Sequence, residues 1–77
     1  MENKFFLTRI RRTSEVFDKG VEIHDTIESA KGAYFAYLGA FGYGRNKETD
    51  FCSAIISDTV GAIIAAETWK KPENIYK

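Results

Sequence analysis

One histidine, His24, and one cysteine, Cys52, are the only side chains here with ready base or thiolate chemistry at neutral pH. His24 would have to serve as the sole imidazole base, placed just before a helix; it reads instead as a strand-end histidine bonded to backbone or capping the turn. Cys52 lies on a strand beside Ala54 and Ile56 and reads as a buried, inert thiol. A cysteine–histidine nucleophile would need both side chains on one face at hydrogen-bond distance, which spacing alone does not establish. The carboxylates are scattered, with no pair suited to general acid and base work. Gly42-Tyr43-Gly44-Arg45-Asn46-Lys47 has the look of a phosphate loop. It lacks the G-x-x-x-x-G-K-[ST] spacing, and it follows a helix where phosphate loops precede one. A structural zinc site wants four Cys/His ligands, so none is expected, nor is any cofactor. The residue inventory argues against an enzyme.

Length and charge narrow the class further. The 77 residues, 44% hydrophobic and 14% aromatic, are enough for one small globular domain over 1–77, with an ordered core over about 3–70. Eleven bases cancel eleven acids, whereas a nonspecific DNA coater or polybasic membrane binder carries a large excess of one sign. A lone cysteine forms no internal disulfide, no secretory h-region is visible, and no apolar run approaches the roughly 18 residues of a membrane span. A cytoplasmic location with reduced Cys52 is expected. A domain of this size without disulfide or metal is marginal, and association is a common remedy.

The elements follow from periodicity. Lys4 to Arg11 alternates as a strand, with Phe6, Thr8 and Ile10 on one face and Phe5, Leu7 and Arg9 on the other. Phe17-Asp18-Lys19-Gly20 carries turn chemistry, and Val21 to His24 forms a second strand that could already begin near Ser14, with a bulge at Gly20. Lys4, Arg9, Arg11 and Arg12 on the first strand face the acidic block Glu15, Asp18, Glu22, Asp25 and Glu28, which suits neighbouring antiparallel strands with cross-strand ion pairs. Asp25, three residues before Glu28, marks a helix N-cap with its capping-box partner. Ile27, Ala30, Tyr34, Leu38 and Phe41 then form one helical stripe, with Tyr37 beside it and Gly42 and Gly44 as terminators. Phe51 to Ser57 and Ala62 to Trp69 pair as a hairpin around Asp58-Thr59-Val60-Gly61. The order is ββαββ, an α+β fold with a four-stranded antiparallel sheet and one helix packed across one face. Ile27, Tyr34, Leu38 and Phe41 are expected to meet Ile55 or Ile56 in the core.

Two surfaces stand out. The helix face away from the core holds Gly32, Ala33, Ala36, Gly39 and Ala40, with no charge between Lys31 and Arg45. Glycines inside a helix cost about 1 kcal/mol each relative to alanine, so a close contact is expected there, most simply a homodimer interface. Phe35 and Tyr43 fall off the buried stripe and, with Arg45 and Lys47, make an aromatic and basic edge suited to a partner protein. The same composition could stack bases, so a nucleic-acid-binding protein using Arg9, Arg11, Arg45 and Lys47 is the alternative.

The string Lys19-Gly20, His24-Asp25-Thr26, Ala30, Ala36-Tyr37-Leu38-Gly39-Ala40, Gly42-Tyr43-Gly44, Thr49-Asp50 and Glu67-Thr68-Trp69 resembles small uncharacterised proteins of phages and prophages in Gram-positive bacteria. That resemblance implies an accessory protein acting in the host cytoplasm. It also implies binding to a host or defence-system protein, as anti-CRISPR inhibitors do when they occupy an effector nuclease.

Overall fold

The computed structural model describes residues 4–72. The fraying expected past Lys70 falls largely on residues outside that range. Four strands and one helix follow in the order β1 (Phe5–Arg12), β2 (Phe17–His24), α1 (Ile27–Phe41), β3 (Phe51–Asp58) and β4 (Ile63–Lys70). The strands form one antiparallel sheet in the order β2-β1-β3-β4, so the α+β, ββαββ architecture read from periodicity is the one observed.

The first hairpin turns at Thr13–Val16, earlier than the turn residues at Phe17–Gly20 suggested. The Thr13 hydroxyl accepts from the backbone N–H groups of Glu15 and Val16, at 3.3 and 3.0 Å, and closes the tip. Gly20 is then an ordinary strand residue opposite Arg9. Its role is space: a Cβ there would lie 2.5 Å from a guanidinium nitrogen of Arg9. What reads as turn chemistry is a slot for a neighbouring side chain.

The helix starts on Thr26 and not on Asp25. The Thr26 hydroxyl accepts from Ser29 N–H at 3.1 Å, with extended backbone at the cap. Asp25 is drawn instead into an ion pair with Lys4, which holds its carboxyl below the usual range. Both residues are competent caps; the chain entering from β2 presents the second. At the far end Gly42 N–H donates to Leu38 C=O at 2.7 Å, and a Cβ on Gly42 would meet that oxygen at 2.8 Å. Tyr43 follows in the left-handed region at φ 58°, uncommon for an aromatic residue.

The core lies between α1 and one face of the sheet. Leu7, Ala30, Tyr34, Leu38, Cys52, Ala54 and Ile56 are buried, with Phe5, Ile27, Tyr37, Phe41 and Trp69 packed around them. Ile56 is the strand partner of the helix stripe, while Ile55 points to the opposite face. β3 is the most buried strand because it sits beneath the helix and between β1 and β4. The helix approaches β1, β2 and β3, but none of its Cα atoms comes within 8 Å of a β4 Cα. That offset leaves one flank of the sheet open. No helix among the described residues is long and apolar enough to cross a membrane.

Candidate functional site

The cationic strand is largely occupied inside the molecule. Arg9 Nε lies 3.3 Å from Glu22 Oε2, without the alignment of a hydrogen bond, and its guanidinium lies 6.0 Å from the centre of the Tyr37 ring. Arg11 lies 4.4 Å over Phe41, donates from Nε to Thr49 Oγ1 at 2.7 Å and reaches Asn46 Oδ1 at 3.5 Å. Thr49 is fully buried, so Arg11 anchors the loop after the helix to the sheet. These two arginines are structural members of the helix-side layer. The cross-strand pairing of basic and acidic blocks is thereby seen at Arg9 and Glu22. Arg12, next in sequence, points to the other face and is exposed.

His24 has side-chain partners that sequence spacing did not reveal. One ring nitrogen lies 2.7 Å from Ser29 Oγ and the other 2.9 Å from Glu22 Oε1. Hydroxyl, imidazole and carboxylate in series form the skeleton of a nucleophile, base and orienting acid. Glu22 is shared with Arg9, Ser29 N–H donates to the Thr26 hydroxyl, and a cleft beside Trp69 lies at the opposite end of the helix. The chain of three ties the end of β2 to the first turn of α1. Cys52 is fully buried, and desolvation pushes its thiol above the ordinary value, partly offset by Arg11. No group of three or more metal-ligating side chains occurs among the described residues.

Of the two aromatic residues that the sequence placed off the core, Tyr43 reaches the open β4 flank. Phe35 is 65% exposed and packs edge-on against Tyr34, with ring centres 5.1 Å apart. Tyr43 is 52% exposed, and the Glu67 carboxylate on β4 raises its hydroxyl above the ordinary range; slight desolvation adds to this. The left-handed backbone at Tyr43 turns its ring back toward β4 instead of along the helix axis. Beyond it, Gly44, Asn46, Lys47, Thr49, Trp69, Lys71 and Pro72 line a cleft of about 400 Å³. Lys47 therefore joins Trp69 and Lys71, a grouping that linear spacing did not show, because 22 positions separate Lys47 from Trp69 in the chain. Arg45 is exposed beside the cleft without lining it.

The small-residue helix face is bare within the chain. Gly32, Ala36, Gly39 and Ala40 are exposed, and a Cβ on either glycine would meet nothing within 4 Å; Ala33 alone is half-buried, against the core.

Among the described residues the fold is a small α+β unit, a four-stranded antiparallel sheet with one helix packed on one face. Searches against protein-family models, curated proteins and solved structures return no match to this chain.

Proposed function

We propose that this chain is a noncatalytic protein-binding accessory protein that engages its partner along the β4 flank. The observation that carries this reading is the lateral offset of α1, which leaves the edge strand β4 without a helix above it. Trp69 lies on that strand and its Glu67 is near Tyr43, while Phe35 stands exposed on the helix. Aromatic residues beside Lys47 and Arg45 have the composition of interface hot spots, where rigid rings contribute large area at low entropic cost. The resemblance to phage and prophage proteins extends the proposal to inhibition of a bacterial defence complex, CRISPR effectors included, in the host cytoplasm. That extension rests on the resemblance alone.

Nucleic-acid binding is the second reading, favoured by Lys47 and Lys71 beside the Trp69 indole in one cleft. Arg9 and Arg11, held internally, do not contribute to it. Affinity capture from a bacterial lysate, with and without nuclease, separates the two. The protein-binding reading expects a captured protein that survives nuclease, depends weakly on salt, and is lost with the Phe35→Ala/Tyr43→Ala double variant. Capture that requires nucleic acid and weakens steeply with salt, or that ignores the double variant, refutes it.

A further inference from the structure

No described residue covers the sheet face turned away from the helix, and the composition of that face is sorted. The register sets four rows across β2, β1, β3 and β4. They read Phe17–Arg12–Phe51–Lys70, then Lys19–Ile10–Ser53–Thr68, then Val21–Thr8–Ile55–Ala66, and last Ile23–Phe6–Ser57–Ile63. Every strand carboxylate (Asp18, Glu22, Asp58 and Glu67) takes a helix-side position, so this face holds three cations and no acid. The cations occupy the first two rows. The last two rows are neutral and mostly apolar, with Val21 54%, Ile23 66% and Ile63 66% exposed.

We infer that this face pairs with the same face of a second copy of the chain, the two sheets stacked about a two-fold axis with their strands antiparallel. The inference is independent of the β4-flank proposal, since it uses the opposite side of the sheet.

Three arguments select a second copy. Four strands of eight residues give a flat footprint of about 500 Å² before side-chain relief. Two such faces bury upwards of about 1,000 Å², where specific complexes begin. The charge pattern favours one orientation. With strands parallel, Arg12 and Lys70 would lie over the partner's Phe51 and Phe17, and all six cations would crowd into one half of the interface. Reversed, the two copies of Arg12, like those of Lys70, stand about 20 Å apart along the strands, well beyond a screening length of about 8 Å. The two copies of Lys19 stand one row, about 7 Å, apart on the edge strand β2, where both heads reach water. In that orientation Arg12 lies over the partner's Phe6, Lys19 over the partner's Val21 and Lys70 over the partner's Ile63. The long stems cover apolar surface and the charged heads reach water at the rim. Finally, the chain's formal charge is zero, so no long-range repulsion keeps two apolar faces apart.

Single-stranded nucleic acid fits this face less well. Phe17 and Phe51 beside Arg12 and Lys70 offer planes for bases in the first row, but Val21, Ile23, Ile55 and Ile63 offer none, and the cations stop halfway along the strands.

Sedimentation of the full chain at micromolar concentrations tests the pairing, with circular dichroism confirming that each variant folds. Wild type is expected at twice the 8.7 kDa chain mass, with a thermal midpoint that rises with protein concentration. Val21→Lys, opposite Lys19 of the second copy, should weaken pairing by about tenfold or more. Val21→Glu should stay within about threefold of wild type at low salt and lose that advantage at high salt. Ala36→Glu on the helix should change nothing. The inference is overturned by a wild type that stays at the single-chain mass with a concentration-independent midpoint. Equal loss with Val21→Lys and Val21→Glu also overturns it. So does dissociation by Ala36→Glu alone, which would move the interface to the helix. Salt-steep binding of an oligothymidylate that splits the pair and needs Arg12 and Lys19 would hand the face to nucleic acid.

Discussion

Leu38→Ala tests whether one helix stripe and one strand really share the small core on which everything else is mounted. Leu38 is 3% exposed and packs among Leu7, Ala30, Tyr34, Cys52, Ala54 and Ile56. The substitution removes three carbons, worth about 2.4 kcal/mol at about 0.8 per buried methylene. A residual void of about 50 Å³ adds about 1.2 kcal/mol at 24 cal/mol per Å³. Collapse is limited, because the void is walled by strand backbone beneath Cys52 and Ala54, and short side chains cannot lean in to fill it. A loss of about 3–4 kcal/mol is therefore expected, against a total of about 4–12 kcal/mol for a chain of this length. With a urea slope of about 1 kcal/mol/M, the unfolding midpoint should fall by about 3 M. Trp69, packed on the rim of the core, is the natural fluorescence probe. Wild type and variant are compared at one protein concentration so that any association enters both curves. Val60→Ala, at a turn residue 85% exposed, serves as the reference and should stay within about 0.5 kcal/mol. A midpoint shift below about 1 M for Leu38→Ala would refute the packing argument.

Three further outcomes follow from particular contacts. Thr26→Ala should lower stability by about 1 kcal/mol and Asp25→Ala by less, measured by thermal unfolding, because the Thr26 hydroxyl caps α1; the reverse order would restore Asp25 as the cap. Cys52 should resist a thiol-reactive probe in the folded protein and react fully once urea unfolds it, since burial disfavours the thiolate. Fast native labelling would show the thiol accessible. Tyr43 has its hydroxyl raised chiefly by Glu67, so the protonated form is favoured in the folded state. Its contribution is fully present below the ordinary tyrosine value near 10 and is lost as pH climbs through the raised folded value. Phenolate absorbance should accordingly appear at lower pH in Glu67→Gln than in wild type; an unchanged or higher titration would break the link between the loop and β4.

Local rules in the sequence were sufficient for the element order. Alternation at Lys4–Arg11 and Phe51–Ser57, the Ile27–Phe41 stripe and the Asp58–Gly61 turn each depend on residues close in the chain. β1, α1, β3 and β4 lie within a residue or two of their expected places, while β2 begins four residues before Val21. Boundaries were harder where two residues could do one job. Asp25 and Thr26 both cap, and only the position of Lys4 across the sheet draws Asp25 away. Gly20 was misread for the same reason: a glycine serves equally for a turn or for an empty slot, and the guanidinium that fills the slot comes from Arg9 on another strand.

Surface readings divided along the same line. Exposure of Phe35, Tyr43, Arg45 and Lys47 was legible, because helix geometry takes Phe35 off the buried stripe and the polar loop past Gly42 carries the other three. The gathering of Tyr43 with Glu67, of Lys47 with Trp69 and Lys71, and of Glu22 with His24 and Ser29 required strand pairing and the lateral offset of α1. Period-two alternation announces that a strand has two faces without saying which one the helix covers. The side of the sheet that α1 occupies is a tertiary decision, made by Leu7, Cys52, Ala54 and Ile56 closing around Leu38 and Tyr34. Once made, it leaves Phe17, Val21, Ile23 and Ile63 facing outward with Arg12, Lys19 and Lys70.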